Sequence, residues 1–144
     1  FAPIAFAAGA LGAHGALRLS PEHRVLVQGG MAEILFAASE VLVAAKHLVN
    51  DQSIRRVVGG EVDYLHLLFD RHQVILAEGL ATESLFIGGQ ALAALERDTV
   101  EEILTIFPEL DPRTGEGYGP TARRVLKAHE AQVMMHGMMV NAAA

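Results

Sequence analysis

In the first half of the chain, apolar residues fall in short runs separated by glycines and turns. Val25-Leu26-Val27, Val41-Leu42-Val43, Tyr64 to Phe69 and Val74-Ile75-Leu76 are the clearest runs, divided by Gly29-Gly30, Gly59-Gly60 and Glu78-Gly79. Apolar runs of this length, bounded by glycine, predict strands rather than long helices. The zone from Phe1 to about Gly89 is therefore expected to be all β. Within it, the Gly- and Ala-rich stretch Gly9 to His14 suits a loop or a bulged strand.

After Gly89 the period changes. Thr99-Val100-Glu101-Glu102 has the form of a capping box, and Val100, Ile103, Leu104 and Phe107 then line one helical face until Pro108 ends it. A turn-rich link runs from Asp111-Pro112 through Gly115, Gly117 and Gly119. Pro120 suits the first turn of a second helix with Val125, His129 and Val133 on one stripe. Farther along, His129 and His136 beside Met134, Met135, Met138 and Met139 describe a core-facing stripe. The expected architecture is mainly β over residues 1–88, with a two-helix appendage over 89–144 that covers a sheet edge.

Length and charge narrow the function. A chain of 144 residues, 51% apolar and 19% charged, fits one compact domain. Eleven Lys and Arg against seventeen Asp and Glu leave a net charge of −6, which provides no basic field for a phosphate backbone. Nucleic acid is not an expected partner. The absence of Cys excludes a disulfide framework, a thiolate metal site and a cysteine nucleophile within these residues. No apolar run approaches the ~20 residues that span a bilayer. Phe1-Ala2-Pro3-Ile4 has neither the basic flank nor the apolar length of a signal peptide. The start at Phe1 rather than Met leads us to expect further sequence upstream. An acidic chain without Cys is compatible with export, and oligomeric state is not legible.

Histidine carries most of the chemical information. In Ser20-Pro21-Glu22-His23 a hydroxyl stands three residues before an imidazole on a turn entering the Val25 run. Such a pair can act on one peptide group, the hydroxyl holding it and the imidazole donating a proton. It can equally be a capped turn with a packed ring. In an extended chain His66, Leu68, Asp70 and His72 would share one face. A carboxylate there would orient an imidazole as a general acid requires, although Asp70-Arg71 also reads as a simple turn. His66 and His72 lack the spacing of familiar zinc sites, so neither a metal nor a cofactor is expected.

The segments SPEHRVLV, AKHLVN and YLHLLFDRHQVILAEGLATESLF resemble the hedgehog/intein (Hint) domain, in its bacterial branch, over about residues 3 to 86. The resemblance implies a Hint β fold represented by its C-terminal portion. It places His23, in Ser20-x-x-His23, where the family has Thr-x-x-His, the pair that polarises the scissile peptide and protonates its leaving nitrogen. His72 falls on the family's late histidine and Gly79 on the glycine before the final strand. The family's opening Cys or Ser nucleophile has no counterpart, so the expected fragment is truncated at its N-terminal side. Splicing members end in His-Asn, whereas Thr82-Glu83-Ser84 stands here, and serine has no amide with which to cyclise. The aspartate that many members carry after the tyrosine is Leu65; Asp63 and Asp70 are both candidates to replace it.

The expectation is thus a domain that converts the peptide bond before its first residue into an ester or thioester, with its own upstream polypeptide as substrate. His23 and Ser20 would carry that step, assisted by His72 and Asp70. One alternative is a non-catalytic interaction module on the same fold. Another is a hydrolase acting in trans, with Ser84 or Ser20 as nucleophile beside a histidine.

Overall fold

The computed structural model describes residues 2–60 and 66–143, with side chains as far as Met138. The chain divides into two compact units, each assembled from separate stretches. The first comprises the described residues of Phe1–Leu65, Val74–Glu83 and Arg123–Ala144; the second comprises His66–Gln73 and Ser84–Ala122.

The first unit holds both sheets. Strands β1 (Ile4–Phe6), β2 (Leu17–Leu19) and β5 (Ile54–Arg56) form an antiparallel sheet in the order β2-β1-β5. The second sheet has the order β6-β7-β3-β4-β8, from β3 (Arg24–Gln28), β4 (Glu40–Ala44), β6 (Val74–Ala77), β7 (Leu80–Glu83) and β8 (Arg124–Val125). Val25 faces Val43, Leu26 faces Leu42 and Val27 faces Val41 across β3 and β4. All six are buried, so these strands are covered on both faces and read as unbroken apolar runs. Their valines, with Ile4, Phe6, Leu48, Ile54 and Leu80, make the main core. The Ala77-Glu78-Gly79-Leu80 hairpin has φ of 51° at Glu78 and 85° at Gly79, the two positive values that a type I′ connection demands.

Three of the expected runs are strands. Of Tyr64 to Phe69, Tyr64 and Leu65 lie outside the described residues, and 66–69 form no strand. With no ladder there, the period of two that would align His66, Leu68, Asp70 and His72 does not operate. Gly9 to His14 is a loop, organised by the His14 ring, whose Nε2 accepts the Leu11 amide and whose Nδ1 lies 2.7 Å from the Gly15 carbonyl. The β zone also contains a short helix, α1 (Gly30–Phe36), and a 3-10 turn at Ala45–Leu48. α1 suits its sequence: Met31-Ala32-Glu33-Ile34-Leu35 are mostly good helix formers, and Ala32 is buried.

The C-terminal part is helical as expected, with different boundaries. α2 (Gly89–Ala93) and α3 (Arg97–Ile106) belong to the second unit, and α4 (Ala128–Ala143) belongs to the first. α3 begins ahead of Thr99, with Arg97 paired to Glu101 one turn on, and no side chain caps it. Ile103 of the expected stripe is buried in the second core with Ile87, Leu92, Leu110 and Tyr118, and Val100, Leu104 and Phe107 pack against it.

Pro120 does not open a helix. Arg124 and Val125 instead pair in parallel with Val41 and Leu42, and the Leu126 amide donates to the Leu42 carbonyl. The free edge of β4 thus outcompetes the helical pattern and is covered by a strand. α4 starts later, where the Glu130 carboxylate accepts the Lys127 amide in the return half of a capping box. That bond and the Arg124 guanidinium hold the Glu130 carboxyl below the usual range. Of the stripe expected on α4, the methionines Met134, Met135 and Met138 do face the core, but the histidines and Val133 do not. Leu126, Ala131 and Met134 are buried, whereas His129, Val133 and His136 are exposed. Gly137 lets α1 approach, since the Met31 sulfur lies 2.7 Å from where a Cβ would stand.

Candidate active site

His23 sits at the end of a turn built by its own tetrapeptide. The His23 amide donates to the Ser20 carbonyl at 3.1 Å, with Pro21 at the position where its fixed φ favours such a turn. The 3-10 turn holds this backbone from the other side: the Ala45 amide donates to the His23 carbonyl and the Lys46 amide to the Pro21 carbonyl. Lys46 also forms an ion pair with Glu22. The ring is half-buried, and its Nε2 lies 3.0 Å from the Glu83 carbonyl. A carbonyl oxygen only accepts, so Nε2 carries the proton.

Glu83 grips the same place with its side chain. Its carboxylate accepts the Arg24 amide at 2.9 Å and the Arg24 guanidinium at 3.3 Å. The end of β7 therefore holds both the His23 ring, through a main-chain carbonyl, and the following residue, through a charge. Sequence inspection missed Glu83, because a contact between residues 59 apart leaves no local periodicity. Thr82, opposite Val25, is fully buried, and among the described residues its hydroxyl has no hydrogen-bond partner.

His72 and Asp70 belong to the second unit. His72 is buried, and its Nδ1 accepts the Ala122 amide at 2.8 Å, so that nitrogen is unprotonated in this arrangement. The Phe86 ring meets it edge-on at 5.2 Å. Asp70 is exposed on a bend. Ser84 is buried, and its hydroxyl oxygen accepts the Gln73 amide while its own amide donates to the Gln73 carbonyl. The oxygen proposed as a hydrolase nucleophile is thus engaged in a backbone clamp. Asp63, the other candidate for the family's aspartate, lies outside the described residues.

Tyr118, also missed, organises this unit. Its hydroxyl donates to the Phe69 carbonyl at 2.8 Å with the Leu85 carbonyl at 3.4 Å, and its ring meets Phe86 and Phe107 edge-on. Burial, with the nearby Asp70 charge second, raises its phenol above the ordinary range. A lone aromatic in a glycine-rich link was the available signal. Gly115, in the same link, has φ of 76° and approaches the Gly88 backbone so closely that a Cβ would stand 2.5 Å from its Cα.

Comparison with protein families is decisive at this point. A model of the Hint domain matches residues 1–89. The chain belongs to the Hint domain family. No curated protein and no solved structure matches it. Among the described residues the match covers every strand except β8, together with Ser20, His23, Asp70, His72 and Glu83. Membership agrees with the mainly β structure and supports a hedgehog/intein-like self-processing role in general terms. Among the described residues no helix is long and apolar enough to cross a membrane, and no His, Asp and Glu cluster is placed to hold a metal ion.

Proposed function

We propose that this Hint domain cleaves the peptide bond at its own N-terminal junction, its upstream polypeptide being the substrate. A Cys or Ser at that junction, outside these 144 residues, attacks the preceding carbonyl carbon, and the C–N bond breaks as the C–O or C–S bond forms. The nucleophile gives up its hydroxyl or thiol proton to solvent, the leaving nitrogen takes a proton from His23, which solvent then restores, and water hydrolyses the ester or thioester. Ser20 holds the scissile group, while His72 and Asp70 assist proton transfer. Residues 1–88 are the Hint part and 89–144 its helical companion. With Ser84 where splicing members have asparagine, cleavage without splicing is the outcome.

The observation that carries this reading is the setting of His23. Its ring stands on a turn whose backbone is bonded at three points, with an N–H already aimed at an acceptor. A general acid needs that preorganisation. To deliver the proton, the scissile nitrogen takes the place of the Glu83 carbonyl as the ring's partner.

The test is the native gene product, including whatever precedes Phe1, with a reporter domain in front. Hydroxylamine or a thiol should release the reporter, since these nucleophiles attack esters and thioesters but not amides. His23→Ala should slow release by ~10²–10⁴-fold with the fold retained by circular dichroism, and Ser20→Ala by less. Release of the reporter at the wild-type rate by folded His23→Ala would make His23 a structural turn residue.

A further inference from the structure

The outward face of the three-stranded sheet plays no part in the reading above, and two arginines share it. Ala5 of β1 is the cross-strand partner of Arg18 on β2 and of Arg55 on β5. Partners in register project to the same face, so two arginines flank one small residue, their Cα atoms roughly 9–11 Å apart across two strand spacings. Ile4 and Phe6, on either side of Ala5, turn to the opposite face and into the core. A groove of about 330 Å³ lies here, lined by Arg18, Arg55, Ala5, Ala7, Gln52 and Ser53 among others, and among the described residues no carboxylate lines it.

In a chain of net charge −6, most described cations find an acid: Arg24, Lys46, Arg97, Arg113, Arg123 and Arg124 each have a carboxylate within ion-pair distance. Arg18 and Arg55 have none among the described residues. Two arginines on one face of the sheet repel each other, and an anion bound between them removes that cost. Ser53 adds a donor. Its oxygen already accepts the Asn50 side-chain amide at 3.0 Å, which leaves the hydroxyl proton to point elsewhere. The alanines keep the floor low enough for a ligand to reach both forks.

We propose that this groove binds a single tetrahedral oxyanion of the phosphate or sulfate type, clamped between Arg18 and Arg55 with Ser53 and Gln52 as further donors. A tetrahedral group offers separate pairs of oxygens to two guanidinium forks, whereas one carboxylate offers a single edge. The negative charge of the rest of the chain opposes an extended polyanion, so the ligand is compact: a free phosphate, a phosphomonoester or one lipid headgroup.

The 144-residue chain, labelled with ¹⁵N, is titrated with sodium phosphate and, at matched ionic strength, with sodium chloride. Phosphate should produce saturable shifts in the amides of β1, β2 and Ser53 to Arg55, and chloride should not. Arg18→Gln and Arg55→Gln should each weaken binding by about 10-fold, in line with loss of one charge-assisted contact. The double variant should abolish saturation, while Arg97→Gln should change nothing. Sedimentation with phosphatidylcholine vesicles, with and without phosphatidylglycerol, separates the sources. Vesicle binding that is lost in the double variant assigns a lipid headgroup; phosphate binding without vesicle binding assigns a soluble phosphate. Equal shifts with chloride, or undiminished phosphate binding by the folded double variant, would overturn the site.

Discussion

In the sheet unit, His23 is placed by main-chain bonds from a turn, a 3-10 segment and the end of β7, behind which stands a broad aliphatic core. In the other unit, His72 is buried with the Phe86 edge and the Ala122 amide among its partners, and the local core is a small set of side chains gathered on Tyr118. The first arrangement spreads its stability over ladders and many methyl groups, so a polar ring can stay half-exposed. The second concentrates stability in few contacts, and its histidine is itself part of the packing. A small core loses a larger share of its stability with each contact removed. The two histidines are therefore expected to answer differently to substitution: His23 in rate alone, His72 in folding as well as rate.

The contrast can be pressed hardest in the sheet unit. Phe6→Ala removes a fully buried ring between Ile4 and the Ile54 strand and should cost about 3–5 kcal/mol. Amide hydrogen exchange would show lost protection in β1, β2 and β5. If the first amides to lose protection are those around Tyr118, the two cores are not separately organised.

Tyr118→Phe tests the second unit with a smaller change. It leaves the Phe69 carbonyl without its donor in a buried setting and should cost about 1–2 kcal/mol. Because the folded state raises the phenol above its ordinary value of 10.0, the neutral form is the one that folding favours. That contribution is complete below pH 10 and is lost as pH rises through the folded value. Urea melts from pH 8 to 11 should therefore decline less steeply for Tyr118→Phe than for the wild type. A parallel decline would show that the phenol does not couple to folding.

The smallest expected effect has the opposite sign. Thr82 places in the aliphatic core, opposite Val25, a hydroxyl without a partner among the described residues. Thr82→Val keeps the shape and removes the desolvation cost, and should stabilise the protein by about 1 kcal/mol. A destabilised Thr82→Val, measured in the same melts, would mean that the hydroxyl has a partner in solution.

Where local chemistry settles the outcome, the residues could be read directly. Val25-Leu26-Val27 and Val41-Leu42-Val43 are strands because β-branched runs buried on both faces have few alternatives. Glu78-Gly79 is the β6–β7 turn because Gly79 takes its positive φ without steric cost, and Glu78 follows it into the left-handed region. The Ser20 to His23 turn and the α3 face were legible for similar reasons. The three-residue strands β1, β2 and β5 were not, since three positions are too few to display a period of two. α4 misled in another way. Its Ala and Met residues are apolar around much of the helix, so no stripe selects a face, and packing against α1 and the Ala45–Leu48 turn chose Ala131 and Met134.

The sequence by itself determined the mainly β class, the principal strands, the hairpin at Glu78-Gly79 and the turn that presents His23, together with the family to which they belong. Each depends on residues close together in the chain, where backbone sterics and side-chain propensity act alone. Only the tertiary structure decided that Arg124 and Val125 are a strand, that Glu83 clamps His23 and Arg24, that Tyr118 ties Phe69 and Leu85 together, and that Arg18 and Arg55 flank one groove. These depend on partners far away in sequence: a strand edge, a carboxylate or a carbonyl becomes available only once the chain has closed its loops. The free energy of such contacts is absent from any window along the chain.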